Sequence, residues 1–160
     1  MAPATNPLRL QVIDRVVTVL KAIAEGTSYW YTPCEVVKRF VHWTEAKGFP
    51  TYMVFTDSGG KLEAGTPNFF SEEFNVNVKG IVKDHVDTVT KVERCLRDIR
   101  KAINDDTRPS TGAGSLGALG ALVFIEEGAT TDNGYLSLEG FGFFEQRIRI
   151  VISGDFGNNL

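Results

Sequence analysis

The segment Gly112–Gly117 carries the residue types most readily associated with chemistry, because it reads Gly-Ala-Gly-Ser-Leu-Gly and matches the glycine-rich dinucleotide-binding pattern letter for letter. In such sites the pattern follows a strand and opens a helix, so that the pyrophosphate meets a helix N-terminus. Here a predicted helix and a Pro-containing linker precede the glycines, and a predicted strand follows them. Because this order is reversed, we interpret the segment as a loop and expect no nucleotide cofactor.

The two histidines, His42 and His85, are the next candidates for chemistry. His42 lies beside Trp43 with Glu45 nearby and could act as a base, but no nucleophile or orienting group completes a catalytic set. His85 is expected in the first turn of a helix as an exposed neighbour of its cap. No cluster of Cys, His, Asp and Glu has the spacing of metal ligands. The sequence therefore predicts no catalytic residue, no cofactor and no metal site, and we expect the protein not to be an enzyme.

Two other pairs of reactive side chains are interpreted as structural. Glu72 and Glu73 are neighbours in a predicted strand, so they point to opposite faces and cannot act together as acid and base. Cys95 lies beside the buried stripe of a predicted helix and is expected to be a small core residue. Nothing around Cys34 and Cys95 predicts a disulfide.

The bulk composition fits one globular domain over residues 1–160. The chain has 42% hydrophobic and 23% charged residues and a net charge of −3, and its length can bury a core without cross-links. A mildly acidic chain lacks the basic footprint of nucleic-acid binding. No apolar run approaches the roughly 20 residues of a membrane span, and the N-terminus does not resemble a signal peptide. We therefore expect a soluble protein made in a reducing compartment, with no membrane partner.

The apolar spacing predicts two helices. Asn6 as N-cap and Pro7 as first helical residue begin the first, and Gly26 ends it. The second begins at Asp84, as its cap, and ends near Asn104. Its predicted buried stripe is Val89, Val92, Leu96, Ile99 and Ile103, and the opposite face is predicted to carry the i,i+4 ion pairs Glu93–Arg97 and Arg94–Asp98.

Alternating and β-branched segments predict the strands. The predicted strands are Thr51–Thr56, Phe69–Lys83, Ala121–Glu126 and Tyr135–Phe156, with short ones at Ser28–Tyr31 and Val36–Val41. The alternative for Glu35–Trp43 is a helical turn. Gln146 interrupts the inner row of the last strand, which indicates a strand end or a partner contact. Loops near 57–68 and 105–119 are predicted to be mobile. This order of helices and strands is typical of a single α+β domain.

Two consecutive aromatic pairs, Phe69-Phe70 and Phe143-Phe144, lie in predicted strands. One member of each pair must face away from the core, and outward aromatic side chains are typical of protein–protein contacts. We predict that at least one pair lies in a subunit interface.

The order and hydrophobicity of these elements resemble the tail terminator (tail completion) proteins of long-tailed bacteriophages. The resemblance covers most of the chain and has no diagnostic catalytic string. The segments that carry it are Arg9–Ile23, Gly26, Tyr29–Tyr31, Val36–Arg39, Phe74–Val82, Asp84–Ile103 and Arg147–Ile150.

The resemblance implies a largely antiparallel sheet of about four main strands with two α-helices packed on one face. It implies a homohexameric ring that caps the tail tube, stops its polymerisation and joins the tail to the head-completion or neck protein. DNA would pass through the ring, and a sheath protein would be a further partner if the tail is contractile. The protein would belong to the tail and neck of the virion, after assembly in the host cytoplasm.

In such a protein the work is done at interfaces, so the residues of interest are contact residues. The seven that we predict from expected exposure are Lys61, Glu63, Phe70, Glu72, Phe143, Arg147 and Arg149. Two alternatives remain open: another head–tail connector or minor tail protein, and a small cytoplasmic ligand-binding domain or enzyme.

Overall fold

The computed structural model describes residues 7–57, 61–64, 68–108, 112–126, 129–130 and 140–155, without the side chains of 129–130 and 155. These residues form an α+β fold, as predicted, with two helices and seven strands where about four main strands were expected. The elements are α1 Leu8–Lys21, β1 Glu35–Val37, β2 Thr51–Thr56, β3 Lys61–Ala64, β4 Phe69–Lys83, α2 Thr88–Asp106, β5 Leu122–Ile125, β6 Ala129–Thr130 and β7 Phe141–Asp155.

The long strands β4 and β7 are the centre of the sheet. They pair antiparallel along all 15 residues, from Phe69 opposite Asp155 to Lys83 opposite Phe141. The strand order is β1-β2-β4-β7-β5, with β3 also beside β4 and β6 also beside β7. Strands β1 and β2 run parallel, and every other pair in the described part of the chain runs antiparallel. The sheet is therefore mixed but mostly antiparallel.

Both helices pack on one face of this sheet, which we call the helix face. The even-numbered residues of β4 and β7 point to it, since successive side chains of a strand alternate between faces. The main core joins them to the buried sides of both helices: Val12, Val16, Leu20, Phe74, Val76, Val78, Leu96, Ile99, Ile103, Ile148 and Ile150. This confirms the predicted arrangement of two helices on one face.

The ends of α1 differ from the prediction. Pro7 is the N-cap and the helix begins at Leu8, so Pro7 is not the first helical residue; Asn6 lies outside the described residues. The helix ends at Lys21, and Ala22 rather than Gly26 is the C-cap. Gly26 has φ +87° and serves the turn that joins the bridge partners Glu25 and Tyr29. A side chain would strain this left-handed conformation, so the turn requires the glycine, which does not cap the helix.

The start of α2 lies one turn later than predicted. Asp87 is its N-cap and accepts the Thr90 N–H at 3.0 Å. Asp84, the predicted cap, accepts the N–H groups of Val86 and Asp87 and closes the preceding turn. Val89 was expected in the buried stripe but is 75% exposed, because nothing in the described part of the chain covers its side of the first turn. The other predicted stripe residues are buried.

Asp98 was predicted on the solvent side of α2, paired with Arg94, and that prediction is wrong. Its carboxylate is buried and accepts the N–H groups of Trp30 and Tyr31 at 2.8 and 3.1 Å. Burial raises the pKa of this carboxyl. Arg94 lies instead over the Trp30 ring, 4.2 Å from its centroid. The aromatic segment therefore lies against α2 and does not form the strand predicted for Ser28–Tyr31.

Both segments predicted to be loops contain ordered contacts. Lys61–Ala64 form β3 and pair with Phe70–Glu73, so a strand lies where the sequence predicted a loop. In the second segment Leu116 is buried and donates its N–H to Asp106 at 2.9 Å. Residues 58–60, 65–67 and 109–111 lie outside the described residues, and the mobility of both segments stays a prediction.

Gln146 lies in the middle of β7 and is neither a strand end nor an exposed residue. It is fully buried, its Oε1 accepts from Arg100 Nε at 2.6 Å, and its Nε2 donates to the carbonyls of Glu126 and Arg147. These bonds satisfy the amide inside the protein. The interruption of the apolar row thus reflects a polar link from α2 to the segment after β5.

Candidate protein–protein interface

Five of the seven predicted contact residues lie on the side of the sheet away from the helices. Lys61 and Glu63 come from β3, and Phe143, Arg147 and Arg149 from β7. Lys61 pairs with Glu73 across β3 and β4, so both side chains point to the same side as the odd-numbered residues of β4 and β7. We call this surface the open face and define it by Asp57, Lys61, Glu63, Phe69, Glu73, Asn75, Asn77, Lys79, Leu122, Phe124, Glu126, Phe143, Glu145, Arg147 and Arg149.

The other two predicted residues, Phe70 and Glu72, lie on the helix face. Phe70 is only 3% exposed, whereas its neighbour Phe69 is 57% exposed. Glu72 accepts from Arg9 of α1 at 2.7 Å. The sequence shows that one member of the Phe69-Phe70 pair faces outwards but not which one, because the choice depends on which side of β4 the helices cover. The expectation that Phe70 is exposed is therefore wrong, and Phe69 takes that position.

A charge network crosses the open face. Arg149 on β7 lies 3.6 Å from Glu73 on β4 and 3.7 Å from Glu126, which follows β5. Glu126 is also 4.0 Å from Arg147. Each of these side chains is about one-third exposed or more. Ion pairs of this length at a wet surface contribute little to stability, so these groups can exchange partners at small cost when another protein covers them.

Two further ion pairs lie at opposite ends of the open face. Lys79 is 3.9 Å from Glu145, its partner in the β4–β7 register. On β3, Lys61 Nζ lies 2.5 Å from Glu63 Oε1 and donates a hydrogen bond to it. This bond raises the pKa of Lys61 and lowers that of Glu63. Each of the four cations of the open face thus has a carboxylate within 4.0 Å. Such a balanced surface differs from a phosphate-binding surface, which presents an excess of positive charge.

Exposed apolar side chains lie among these charges. Leu122 and Phe124 on β5 are 60% and 43% exposed, and Phe69 at the start of β4 is 57% exposed. The Arg149 guanidinium lies 4.1 Å from the centroid of the Phe124 ring, a cation–π distance. Aromatic side chains and arginine are enriched at protein interfaces, and exposed apolar patches mark such sites.

A cluster of amides borders the charge network. Asp57 accepts from Asn75 Nδ2 at 2.8 Å and from Asn77 Nδ2 at 2.9 Å. The backbone carbonyl of Asp57 accepts from Arg9 at 2.6 Å. The Oδ1 atom of Asn77 is buried and has no hydrogen-bond partner among the described residues. These contacts hold the end of β2 and its two β4 neighbours in one arrangement.

A small apolar pocket opens at one end of the open face. Its volume is about 280 Å³, and Phe40, which is 65% exposed, lies at it. The pocket separates the sheet from the 40–43 segment, which packs on this end through Val41 and Trp43. The other lining residues are His42, Met53, Lys79, Gly80, Ile81, Phe143, Phe144 and Glu145.

The candidates for chemistry that the sequence presents are not brought together. His42 is exposed, with Nδ1 at 2.7 Å from Thr44 Oγ1, and His85 is exposed in the turn before α2. In the described ranges, no three His, Cys, Asp or Glu side chains are placed to hold a metal ion. Cys34 is an exposed free thiol and Cys95 a buried one, as predicted for the latter, and burial raises the pKa of Cys95 to about 11. No described helix has both the length and the apolarity to cross a membrane.

The glycine-rich segment Gly112–Gly117 forms turns before β5. The Leu116 N–H donates to the side chain of Asp106, and the Gly117 N–H to its carbonyl. These backbone donors therefore bind the C-terminal end of α2. That position is consistent with the loop interpretation.

Sequence reasoning missed several residues of the open face: Asp57, Glu73, Asn75, Asn77, Phe124 and Glu126. One signal for them exists, because charged and amide residues occupy the odd positions of both long strands. Across the register Lys79 faces Glu145 and Asn75 faces Arg149. The sequence alone does not give that register.

Comparison with known proteins adds no assignment. No protein-family model matches the chain, and no curated protein matches it significantly.

Proposed function

We propose that this chain is a structural protein of virion assembly, a tail terminator. It forms a ring, expected to be a homohexamer, that caps the tail tube, stops its polymerisation and joins the tail to the head-completion or neck protein. It is assembled in the host cytoplasm and resides in the tail and neck of the virion. It acts through contacts and has no catalytic residues.

The open face is the observation that carries this proposal. It combines a loose charge network, the stacked pair of Arg149 and Phe124, and the exposed apolar residues Leu122 and Phe69. A surface of this composition favours a protein partner. The resemblance to tail terminators supplies the identity of that partner, and the two helices on one face of a largely antiparallel sheet agree with what the resemblance implies.

The test measures the solution mass of the protein by light scattering, alone and with tail tubes of its own phage, and images the tube ends. The proposal expects a ring of several chains at tube ends. The variant Arg147→Glu/Arg149→Glu reverses two charges of the open face and should abolish capping. Arg97→Glu is the matched control, since Arg97 is exposed on α2, away from this face.

The proposal fails if the wild type stays monomeric and leaves tube ends uncapped. It also fails if the double reversal and the α2 control lower capping equally, because the open face would then have no special part in it.

The apolar pocket favours a second candidate, a small ligand-binding domain. A volume of about 280 Å³ is at the small end of ligand sites. A thermal-shift screen with small apolar compounds tests this candidate. A ligand whose stabilisation disappears in Phe143→Ser, in a wild type that ignores tubes, would favour it over the terminator.

A further inference from the structure

Among the strands that the structure describes, two edges of the sheet at the same level have no further strand beside them. Glu73 of β4 pairs with Lys61 of β3 on one side and with Val151 of β7 on the other, and Val151 pairs with Leu122 of β5. This end of the sheet is thus a four-strand strip in the order β3-β4-β7-β5. In the described ranges no strand pairs with the outer side of β3 or of β5. Uncovered edges present backbone N–H and C=O groups to a further strand.

The strand directions at the two edges are complementary. β3, β4, β7 and β5 each run antiparallel to the next, so β3 and β5 run in opposite directions. Two copies placed side by side in the same orientation therefore bring β5 of one against β3 of the other as an antiparallel pair. That is the orientation that neighbouring copies have in a ring.

The side chains at the two edges are also complementary. On the helix side, β3 presents Leu62, which is 53% exposed, and β5 presents Val123 and Ile125, both partly exposed. On the open face, β3 presents Lys61 and Glu63, and β5 presents Leu122 and Phe124; an antiparallel register that pairs Leu62 with Val123 sets Lys61 opposite Phe124 and Glu63 opposite Leu122. Pairing would bury apolar side chains together on one side. On the other it would place a lysine stem and ammonium beside an aromatic ring, a favourable contact.

We propose that β3 of one copy pairs with β5 of the next, so that the sheet continues from copy to copy. This inference rests on the proposed ring and names the contact that closes it. A head-to-tail contact of this kind forms a ring when its rotation closes. Because each copy uses one β3 and one β5, blocking either edge interrupts assembly.

The test introduces a charge at each edge, since a lysine on an edge strand opposes further pairing. Leu62→Lys blocks β3, and Val123→Lys blocks β5. Leu122→Lys, at a 60% exposed position of β5, is the second β5 variant in case Val123→Lys does not fold. Val86→Lys is the matched control, because Val86 is 96% exposed before α2 and lies on neither edge. Light scattering gives the mass of each, and circular dichroism checks its fold.

The expected result is a wild-type and control mass of several chains and a single-chain mass for each folded edge variant. The inference is overturned if folded edge variants keep the wild-type mass, or if the control loses assembly as they do. A wild type that is monomeric with and without tubes contradicts the ring itself, and with it the proposed function. If the wild type forms rings and the edge variants form them too, only the strand pairing is contradicted.

Mixing the two edge variants tests the head-to-tail geometry. Leu62→Lys keeps β5 intact and Val123→Lys keeps β3 intact, so an equimolar mixture should form pairs of chains and nothing larger. If β3 paired with β3, or β5 with β5, one variant alone would form such pairs through its intact edge. Pairs in a single variant, or no pairs in the mixture at concentrations where the wild type assembles, would overturn the inference.

Discussion

The helix face and the open face belong to the same two strands, but their side chains contribute very differently to stability. Ile150 is fully buried under the helices, while the adjacent Arg149 lies on the open face with Glu73, Glu126 and Phe124 around it. Burying a large apolar side chain contributes about 1.5–3 kcal/mol, whereas exposed ion pairs contribute about 0–1 kcal/mol. Folding therefore depends mainly on the helix face. The charged part of the open face, away from the end on which Val41 and Trp43 pack, is left to contact a partner.

The largest expected effect is on the helix face. Ile150→Ala removes fully buried atoms from the main core and should lower the free energy of unfolding by about 2–5 kcal/mol, since it loses transfer energy and leaves a cavity. Urea denaturation followed by circular dichroism measures this. A loss below about 1 kcal/mol would mean that the core does not depend on this face as described.

A close approach within the same face gives the next effect. Gly80 lies opposite Phe144, and a Cβ at Gly80 would come within 1.9 Å of the ring. Gly80→Ala should therefore destabilise by about 1–3 kcal/mol through overpacking. Adding Phe144→Leu should make the double loss smaller than the sum of the single losses, as thermal melts of the three variants would show. If the two losses simply add, residue 80 and the aromatic ring of Phe144 are not in contact as described.

An ion pair between α1 and α2, Arg15 with Asp106, lies at the edge of the helix face. Arg15 donates to both carboxylate oxygens of Asp106, at 3.0 and 2.6 Å, and Asp106 is almost fully buried. Arg15→Met leaves that carboxylate without its cation. Because Arg15 itself is partly exposed, we expect a loss of about 1–2 kcal/mol, below the range for a fully buried pair. Chemical denaturation at neutral pH measures it.

The same pair predicts a pH dependence. Burial alone raises the pKa of Asp106, but the hydrogen bonds from Arg15 and from the Leu116 N–H bring it below the ordinary value of 3.8. A carboxyl with a depressed folded pKa contributes stability that is complete above about pH 3.8 and is lost as the pH falls through the folded pKa. The difference in unfolding free energy between wild type and Arg15→Met should thus narrow in acid. If this difference does not change with pH, the effect of Arg15→Met comes from lost packing and not from the charge of Asp106.

The smallest effect on stability belongs to the open face. Arg149→Ala should change the unfolding free energy by less than about 1 kcal/mol yet reduce assembly or tube capping. Arg97→Ala, which removes an exposed cation outside this face, should change neither. Denaturation and light scattering on both proteins test the contrast. If Arg149→Ala unfolds the protein as readily as Ile150→Ala does, the division between the faces is wrong.

The sequence was sufficient where a pattern is local. Thr51–Thr56 and Phe69–Lys83 have the predicted bounds, because alternating β-branched and apolar residues specify a strand and turn residues interrupt it. The α+β class, two helices and a buried Cys95 also follow from local spacing. Helix ends were less accurate, since Asp84 and Asp87 are both acceptable caps and only the backbone turn before Thr88 shows which one is used.

Tertiary structure decided what depends on distant partners. Asp98 and Gln146 look like exposed or interrupting residues in the sequence, but both are buried. The Trp30 and Tyr31 amides bind one carboxylate oxygen of Asp98, whose other oxygen has no hydrogen-bond partner among the described residues, and Arg100 binds Gln146. The short β3 carries no strong pattern and forms a strand because β4 offers it an edge.

Tertiary structure also decided which face of the sheet each residue of β4 and β7 occupies. The sequence determined that Phe69 and Phe70 point in opposite directions, and that Arg147 and Arg149 alternate with isoleucines. Only the packing of α1 and α2 decided that Phe70 and Glu72 are covered and that Phe69 and Arg149 are not. The physical reason is that alternation along a strand fixes relative orientation, whereas burial depends on where the helices pack.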